Sequence, residues 1–128
     1  MLKSIVLFLI ISLNYNIIAQ TSSDDVSIRE LDKTIDKLIP KAKKNKLNEK
    51  QIALLAESYH KANQSDHQRI MELKQSGQPD IWIEIYYRIN NINSRQDKIK
   101  TLPDNVKTSM NFKLLNLDNE IKSCKEKA

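Results

Sequence analysis

Apolar residues recur every three or four positions over most of this 128-residue chain, and that interval is the period of an α-helix. The first run of this kind consists of Val26, Ile28, Leu31, Ile35, Leu38, Ile39 and Ala42. No segment alternates apolar and polar residues as a half-buried strand does, and the Asn-Gly and Asp-Gly turns of β-hairpins do not occur. The sequence therefore predicts an all-α domain of antiparallel helical hairpins over residues 26–128.

Local signals mark where the first two of these helices begin and end. Pro40 is expected to kink or end the first helix, because it lacks an amide hydrogen and clashes with the preceding turn. Asn48 and Gln51 have the spacing of a capping box, and Leu47 and Ile52 have that of a hydrophobic staple. A second helix should therefore begin just after Asn48.

Further signals predict that the middle of the chain is divided into short helices. A break is expected at residues 63–66, because Ser65 and Gln68 can form another capping box. Gly77 should end the helix that follows, since helix ends often need a residue in the left-handed conformation. Pro79 suits the first turn of the next helix, where its missing amide costs nothing.

The last third of the sequence is expected to contain one strongly amphipathic helix and two further ones. The apolar face of the first consists of Trp82, Ile85, Tyr86, Ile89 and Ile92. Ser94 and Asp97 can restart a short helix that Pro103 stops, and Asp104 can cap a final helix. The apolar stripe of that final helix would consist of Val106, Met110, Leu114, Leu117, Ile121 and Cys124. Nothing after it in the sequence covers the stripe, so we expect it to mediate self-association or to bind a protein partner.

The N-terminal residues have the features of a secretory signal. Lys3 precedes the apolar run from Ile5 to Leu13, and Ala19 offers a small residue for cleavage. The run is shorter than the ~20 apolar residues that span a bilayer. We therefore expect a signal peptide at residues 1–20, a linker at 21–25, and export to the periplasm, the cell envelope or the outside of the cell. An uncleaved segment that holds the protein at a membrane is the alternative.

Composition argues against several classes of function. The chain has one glycine, whereas phosphate-binding and dinucleotide-binding loops need several. It has one cysteine, so it cannot form an internal disulfide. Its net charge of +5 is not accompanied by interleaved basic and aromatic residues, which argues against nucleic-acid binding. We therefore expect no cofactor and no nucleic-acid partner.

Two stretches of the sequence resemble the tetratricopeptide repeat. The spacing of the first helix of that repeat occurs at Ile52, Leu55, Ala56 and Tyr59. It recurs thirty residues later at Trp82, Ile85, Tyr86 and Ile89. In addition, the segment from Tyr59 to Pro103 resembles the start of exported, largely uncharacterised helical-repeat proteins of Bacteroidota envelopes. These resemblances imply tetratricopeptide-like hairpins, or an incomplete solenoid, in the cell envelope, and they supply no catalytic residue.

Candidate catalytic and metal-binding residues are few, and each has a simpler structural explanation. Glu57 and His60 form half of the ligand set of a di-iron site, but no second Glu-x-x-His follows. His60 and His67 could share a transition metal, although hydrogen bonding to a nearby turn is the simpler role. Ser58 beside His60 lacks a third group that would orient a catalytic base. The sequence therefore predicts no catalytic residue and no metal site.

The remaining candidates are binding residues. Trp82 lies on an apolar helix face and is expected in the core, as is Cys124. The candidate partner contacts are Ile83, Tyr87, Leu114, Leu117 and Ile121. A basic cluster could touch anionic lipid headgroups, and it consists of Lys41, Lys43, Lys44 and Lys46. The whole pattern predicts an exported, non-enzymatic helical-repeat module that binds or scaffolds proteins in the cell envelope. The alternative is an N-terminal accessory segment of a larger exported enzyme.

Overall fold

The structure, a computed structural model, describes residues 27–128, so the predicted signal peptide and linker lie outside the described residues. Residues 27–128 form helices and no strand, which confirms the all-α prediction for this part of the chain. The helices are α1 (residues 27–43), α2 (Glu49–Ser76), α3 (Trp82–Lys100), α4 (Asp104–Ser109) and α5 (Asp118–Lys127). None of the helices in this range is long and apolar enough to cross a membrane.

The first three helices alternate in direction. α2 and α3 run antiparallel, because Asp66 pairs with Arg95 while Arg69, one turn later, pairs with Glu84. The short connection at residues 44–48 turns α1 back onto α2 in the same way. α5 packs along the other side of α3 and contacts it extensively.

Apolar side chains form two separate cores, one towards each end of this bundle. The first core lies near the α1–α2 turn and contains Ile35, Leu38, Ile39, Ala42, Leu55, Tyr59, Ile99, Leu102, Val106 and Met110. The second lies near the α2–α3 turn and contains Ile70, Leu73, Ile81, Ile85, Ile89, Ile92, Leu117 and Cys124. Charged side chains lie between the two cores.

The predicted signals at the two ends of α2 are confirmed. The Asn48 side chain accepts a hydrogen bond from the Gln51 amide at 2.8 Å, and the Gln51 side chain accepts one from the Asn48 amide at 3.1 Å. Leu47 and Ile52 both pack against the first core, as a hydrophobic staple requires. Gly77 ends the helix in the left-handed conformation, with φ of +68°.

The predicted break at residues 63–66 is wrong, because α2 is one continuous helix of 28 residues. The polar side chains of Asn63 and Asp66 contact Arg95 of α3 instead of capping a helix end. The predicted restart at Ser94 is wrong as well, since α3 continues through it and Arg95 belongs to the same contact. This part of the chain is therefore a pair of long antiparallel helices.

Pro40 does not end a helix, and Pro79 does not lie in the first turn of one. α1 continues for three residues beyond Pro40, which is exposed, so Pro40 does not end the helix. Pro79 lies in the turn before α3 and not in its first helical turn, because Ile81 is the N-cap residue. Ile81 is buried in the second core, which fixes the start of α3 after the proline.

The predicted single helix from Asp104 to Cys124 is also wrong, because α4 and α5 are separated by an irregular segment at residues 110–117. Asn111 has a φ of +53°, a left-handed conformation that cannot continue a helix. Gln96 then holds the segment by two hydrogen bonds to the backbone of Leu115. Its Nε2 donates to the carbonyl oxygen at 2.6 Å, and its Oε1 accepts from the amide at 2.8 Å.

Candidate interaction surface

Two of the predicted contact residues lie together on the solvent face of α3. Ile83 and Tyr87 are one turn apart and are 57% and 61% exposed. Asn91 and Ser94 continue the same exposed face towards the C-terminus of the helix. These four residues are called the α3 strip below. The opposite side of α3 lies in the two cores, so this helix has one free face.

The α3 strip contains no charged side chain, although 29% of the residues of the chain are charged. The charged residues beside it, Glu84 and Arg88, turn towards α2. Arg88 pairs with Asp66 at 3.0 Å, and Glu84 pairs with Arg69 at 3.1 Å. An exposed surface that lacks charge and includes large apolar and aromatic side chains has the composition found at the centre of protein–protein interfaces.

A layer of charged side chains between the two cores holds α1, α2 and α3 together. Arg95 is 2% exposed, and its guanidinium binds the Asp32 carboxylate through Nε at 2.6 Å and Nη2 at 3.1 Å. Its Nη1 donates to Asp66 at 2.6 Å and to Asn63 at 3.2 Å. The other oxygen of Asp66 accepts from Arg88 at 3.0 Å. We call Asp32, Asp66, Arg88 and Arg95 the ionic layer.

The ionic layer has a structural role. Burial by itself would lower the pKa of Arg95, but hydrogen bonds with Asp32 and Asp66 outweigh this effect and raise the pKa. The guanidinium therefore stays protonated at physiological pH and is unsuited to proton transfer. Within residues 27–128, no buried side-chain nitrogen or oxygen lacks a hydrogen-bond partner. The layer therefore fixes the helices, and with them the α3 strip, in one arrangement.

The three other predicted contact residues have different surroundings. Leu114 is 65% exposed in the segment after α4, whereas Leu117 is buried in the second core. Ile121 is partly buried and packs against that core. Lys127 at the end of α5 lies over the Trp82 ring, with Nζ 4.3 Å from the ring centroid. The expectation of an uncovered stripe on the last helix is therefore wrong, because α5 turns its apolar side towards α3.

The two histidines line one groove of about 440 Å³ between α2 and the segment after α4. His60 Nε2 lies 2.8 Å from the carbonyl oxygen of Met110, and because a carbonyl only accepts, this nitrogen donates. The hydrogen bond predicted to a nearby turn is thus made to a segment fifty residues away. Leu115, which the sequence pattern did not single out, is 49% exposed and lines the same groove.

The remaining chemical candidates make ordinary structural contacts. Glu57 pairs with Lys61 at the surface, with 2.6 Å between Oε1 and Nζ. Ser58 is buried in the interior. Cys124 is buried as predicted, and this burial raises the pKa of its thiol. In the described part of the chain, no three His, Cys, Asp or Glu residues lie close enough to hold a metal ion.

Comparison with protein-family models, with curated proteins and with solved structures gives no match to this chain. The resemblances to the tetratricopeptide repeat and to Bacteroidota envelope proteins therefore depend on sequence pattern alone.

Proposed function

We propose that this chain is an exported, non-enzymatic helical module that binds a protein partner in the cell envelope. One observation carries the proposal. Ile83 and Tyr87 stand side by side on the exposed face of α3, and no member of the α3 strip is charged. Single exposed apolar residues are common on protein surfaces, but an adjacent pair in an uncharged strip is typical of a contact region.

The surroundings of the α3 strip favour binding. Tyrosine is one of the residue types that contribute most binding energy at interfaces, and Tyr87 is the most exposed aromatic side chain among the described residues. The second core and the ionic layer already hold α3 in place. A partner would therefore not have to order this helix, which lowers the entropic cost of association.

We further propose that α1, α2 and α3 belong to a tetratricopeptide-like arrangement of antiparallel hairpins or to an incomplete solenoid. The short connections at residues 44–48 and 77–81 support this proposal. In arrays of that kind, neighbouring helices cover one another and the remaining free faces bind partners. The α3 strip would be one of these free faces.

Site-specific crosslinking in the native host tests the partner proposal. A photoreactive amino acid replaces Tyr87, and a control variant carries it at Gln68, which is exposed on α2. We expect a discrete crosslinked product in the envelope fraction from position 87 and none from position 68. Adding Ile83→Asp to the position 87 probe should abolish the product, because a charge would enter the α3 strip. Equal products from both positions, or none from position 87, would overturn the proposal.

Export is tested separately by the mass of the mature N-terminus. Protein recovered from the envelope fraction should begin at Gln20 or Thr21, next to the small residue that favours cleavage. Recovery of the exported chain with Met1 intact would contradict the signal-peptide prediction and support a retained anchor.

A further inference from the structure

Most of the net charge of the chain lies in the turn between α1 and α2 and in the helix ends beside it. Residues 41–50 contain five lysines and one glutamate, which is four of the five net positive charges in ten residues. We call these lysines the lysine pole: Lys41, Lys43, Lys44, Lys46 and Lys50. All five are exposed, and none of them forms an ion pair with a carboxylate of the described residues. Among residues 27–128, no carboxylate therefore compensates this concentrated positive charge.

Two lysines of α3 near this end of the bundle are paired with carboxylates. Lys98 pairs with Asp36 at 2.7 Å, and Lys100 pairs with Asp97 at 2.8 Å. The positive charges of these two lysines are therefore compensated locally.

A favourable interaction with a helix dipole accounts for only some of the lysines in the pole. Lys41 and Lys43 lie in the last turn of α1, where a positive charge interacts favourably with the helix dipole. Lys46 precedes α2 and Lys50 lies in its first turn, where the dipole disfavours a positive charge. These two lysines oppose the local electrostatics of the fold, which points to a role outside it.

The turn that carries the lysines is well fixed. Asn45 adopts a left-handed conformation with φ of +54°, and its amide donates to the Ala42 carbonyl oxygen at 2.9 Å. The Lys46 amide donates to the Lys41 carbonyl oxygen at 2.9 Å. Asn105 of α4 donates from Nδ2 to the Asn45 side-chain oxygen at 3.0 Å. The backbone is thus arranged before any ligand binds, so binding orders only side chains.

We propose that the lysine pole binds an anionic membrane surface through the phosphates of lipid headgroups. The pole lies at the tip of the α1–α2 hairpin, where all five lysines are exposed. Residue 27 lies at the other end of α1, about 24 Å away at 1.5 Å per residue. Tyr87 lies about 20 Å along α3 from Lys100, by the same rise. The α3 strip would therefore stay free for a protein partner while the pole contacts the membrane.

Vesicle binding by the full chain tests the inference. The pole variant carries Lys44→Gln, Lys46→Gln and Lys50→Gln, which remove charges that do not support α2. The control variant carries Lys74→Gln, Lys113→Gln and Lys122→Gln, which remove the same charge from exposed positions elsewhere. Both variants keep the N-terminal segment, so its contribution to binding cancels. Co-sedimentation uses phosphatidylcholine vesicles with and without one quarter phosphatidylglycerol, and thermal melts confirm folding.

The two variants should differ clearly on the anionic vesicles. Each lysine near an anionic surface contributes roughly fivefold to affinity, so the pole variant should lose about a hundredfold in partition coefficient. The control variant should lose less than about threefold, and about 1 M salt should reduce binding of the unmodified chain on anionic vesicles to its level on neutral ones. A loss of less than tenfold in the pole variant, or an equal loss in the control, would overturn the proposal. Tighter binding to double-stranded DNA than to the vesicles would overturn the choice of a membrane.

Discussion

The carboxylate of Asp66 lies 2.6 Å from Nη1 of Arg95, and both side chains are removed from solvent. Taking a pair of charges out of water costs several kcal/mol per ion, which their attraction offsets only when the other hydrogen-bonding groups are also satisfied. Here Asp32, Asn63 and Arg88 provide those hydrogen bonds. The pair therefore fixes the register of α2 against α3 more than it adds to stability, and Asp32 extends this contact to α1.

Removing one member of this pair should be strongly destabilising. Asp66→Asn leaves the Arg95 guanidinium buried with less compensating charge, and we expect the free energy of unfolding to fall by about 3–5 kcal/mol. The matched control is Asp36→Asn, which breaks the exposed pair with Lys98 and should cost less than about 1 kcal/mol. Chemical denaturation of both variants checks the difference. Equal losses would mean that the ionic layer does not hold the helices.

A second prediction separates the two aromatic residues of α3. Trp82 is partly buried against the second core and beneath Lys127, so Trp82→Ala should cost about 1–3 kcal/mol, less than removal of a fully buried tryptophan. Tyr87→Ala should change the free energy of unfolding by less than about 0.5 kcal/mol, because the side chain is mostly exposed. Denaturant unfolding followed by circular dichroism measures both. If Tyr87→Ala lowered the free energy of unfolding by more than this, the Tyr87 side chain would have to pack in the core and not on a free surface.

The two ends of α2 and the exposed face of α3 were predicted correctly from neighbours in sequence. The capping box at Asn48 and the end of α2 at Gly77 need only a few adjacent residues, and both are confirmed. The positions of Ile83 and Tyr87 off the apolar face of α3 follow from helical periodicity alone, and both side chains are exposed.

Features that depend on contacts between helices were not predicted. Asp66 has the residue type of a helix cap, and its sequence neighbours do not show what it pairs with. The pairing becomes visible only when α2 packs against α3 and brings Arg95 to the Asp66 carboxylate. The seven-residue spacing of Arg88 and Arg95 places both on one face of α3 and was the available signal for the ionic layer. Leu117 was assigned to a surface because one helix was expected through Asn111, although asparagine is, after glycine, the residue that most often takes the left-handed conformation found there.

Alkaline pH should destabilise the fold through two buried groups. Burial raises the pKa of the Cys124 thiol and of the Tyr59 phenol above their ordinary values. The unfolded chain therefore loses these protons at lower pH than the folded chain does. The contribution of the two protonated groups to the free energy of unfolding is complete below their unfolded pKa values and is lost as pH rises through their folded pKa values. With unfolded values of about 8.5 for cysteine and about 10 for tyrosine, the free energy of unfolding should fall above pH ~8.5 and again above ~10.

Two variants resolve these steps. Cys124→Ala should flatten the pH dependence of stability in the lower alkaline range, and Tyr59→Phe should flatten it in the upper range. Denaturant titrations at a series of pH values measure the slopes. A slope that stays unchanged in both variants would assign the alkaline instability to other groups.

The continuity of α2 leads to the last prediction. Gln64 is exposed in the middle of a 28-residue helix that has no internal proline or glycine. Gln64→Pro would remove one hydrogen bond between backbone groups and place its ring against the carbonyl of His60, so the free energy of unfolding should fall by about 3 kcal/mol or more. Gln64→Ala is the control and should leave stability unchanged or slightly raised, because alanine has the highest helix propensity. If the helix were broken at residues 63–66, as the capping pattern predicts, the proline would lie just before the new helix and be tolerated. Thermal and chemical unfolding of the two variants therefore distinguish one long helix from two short ones. If the proline variant were as stable as the alanine variant, the helix would have to be broken at residues 63–66.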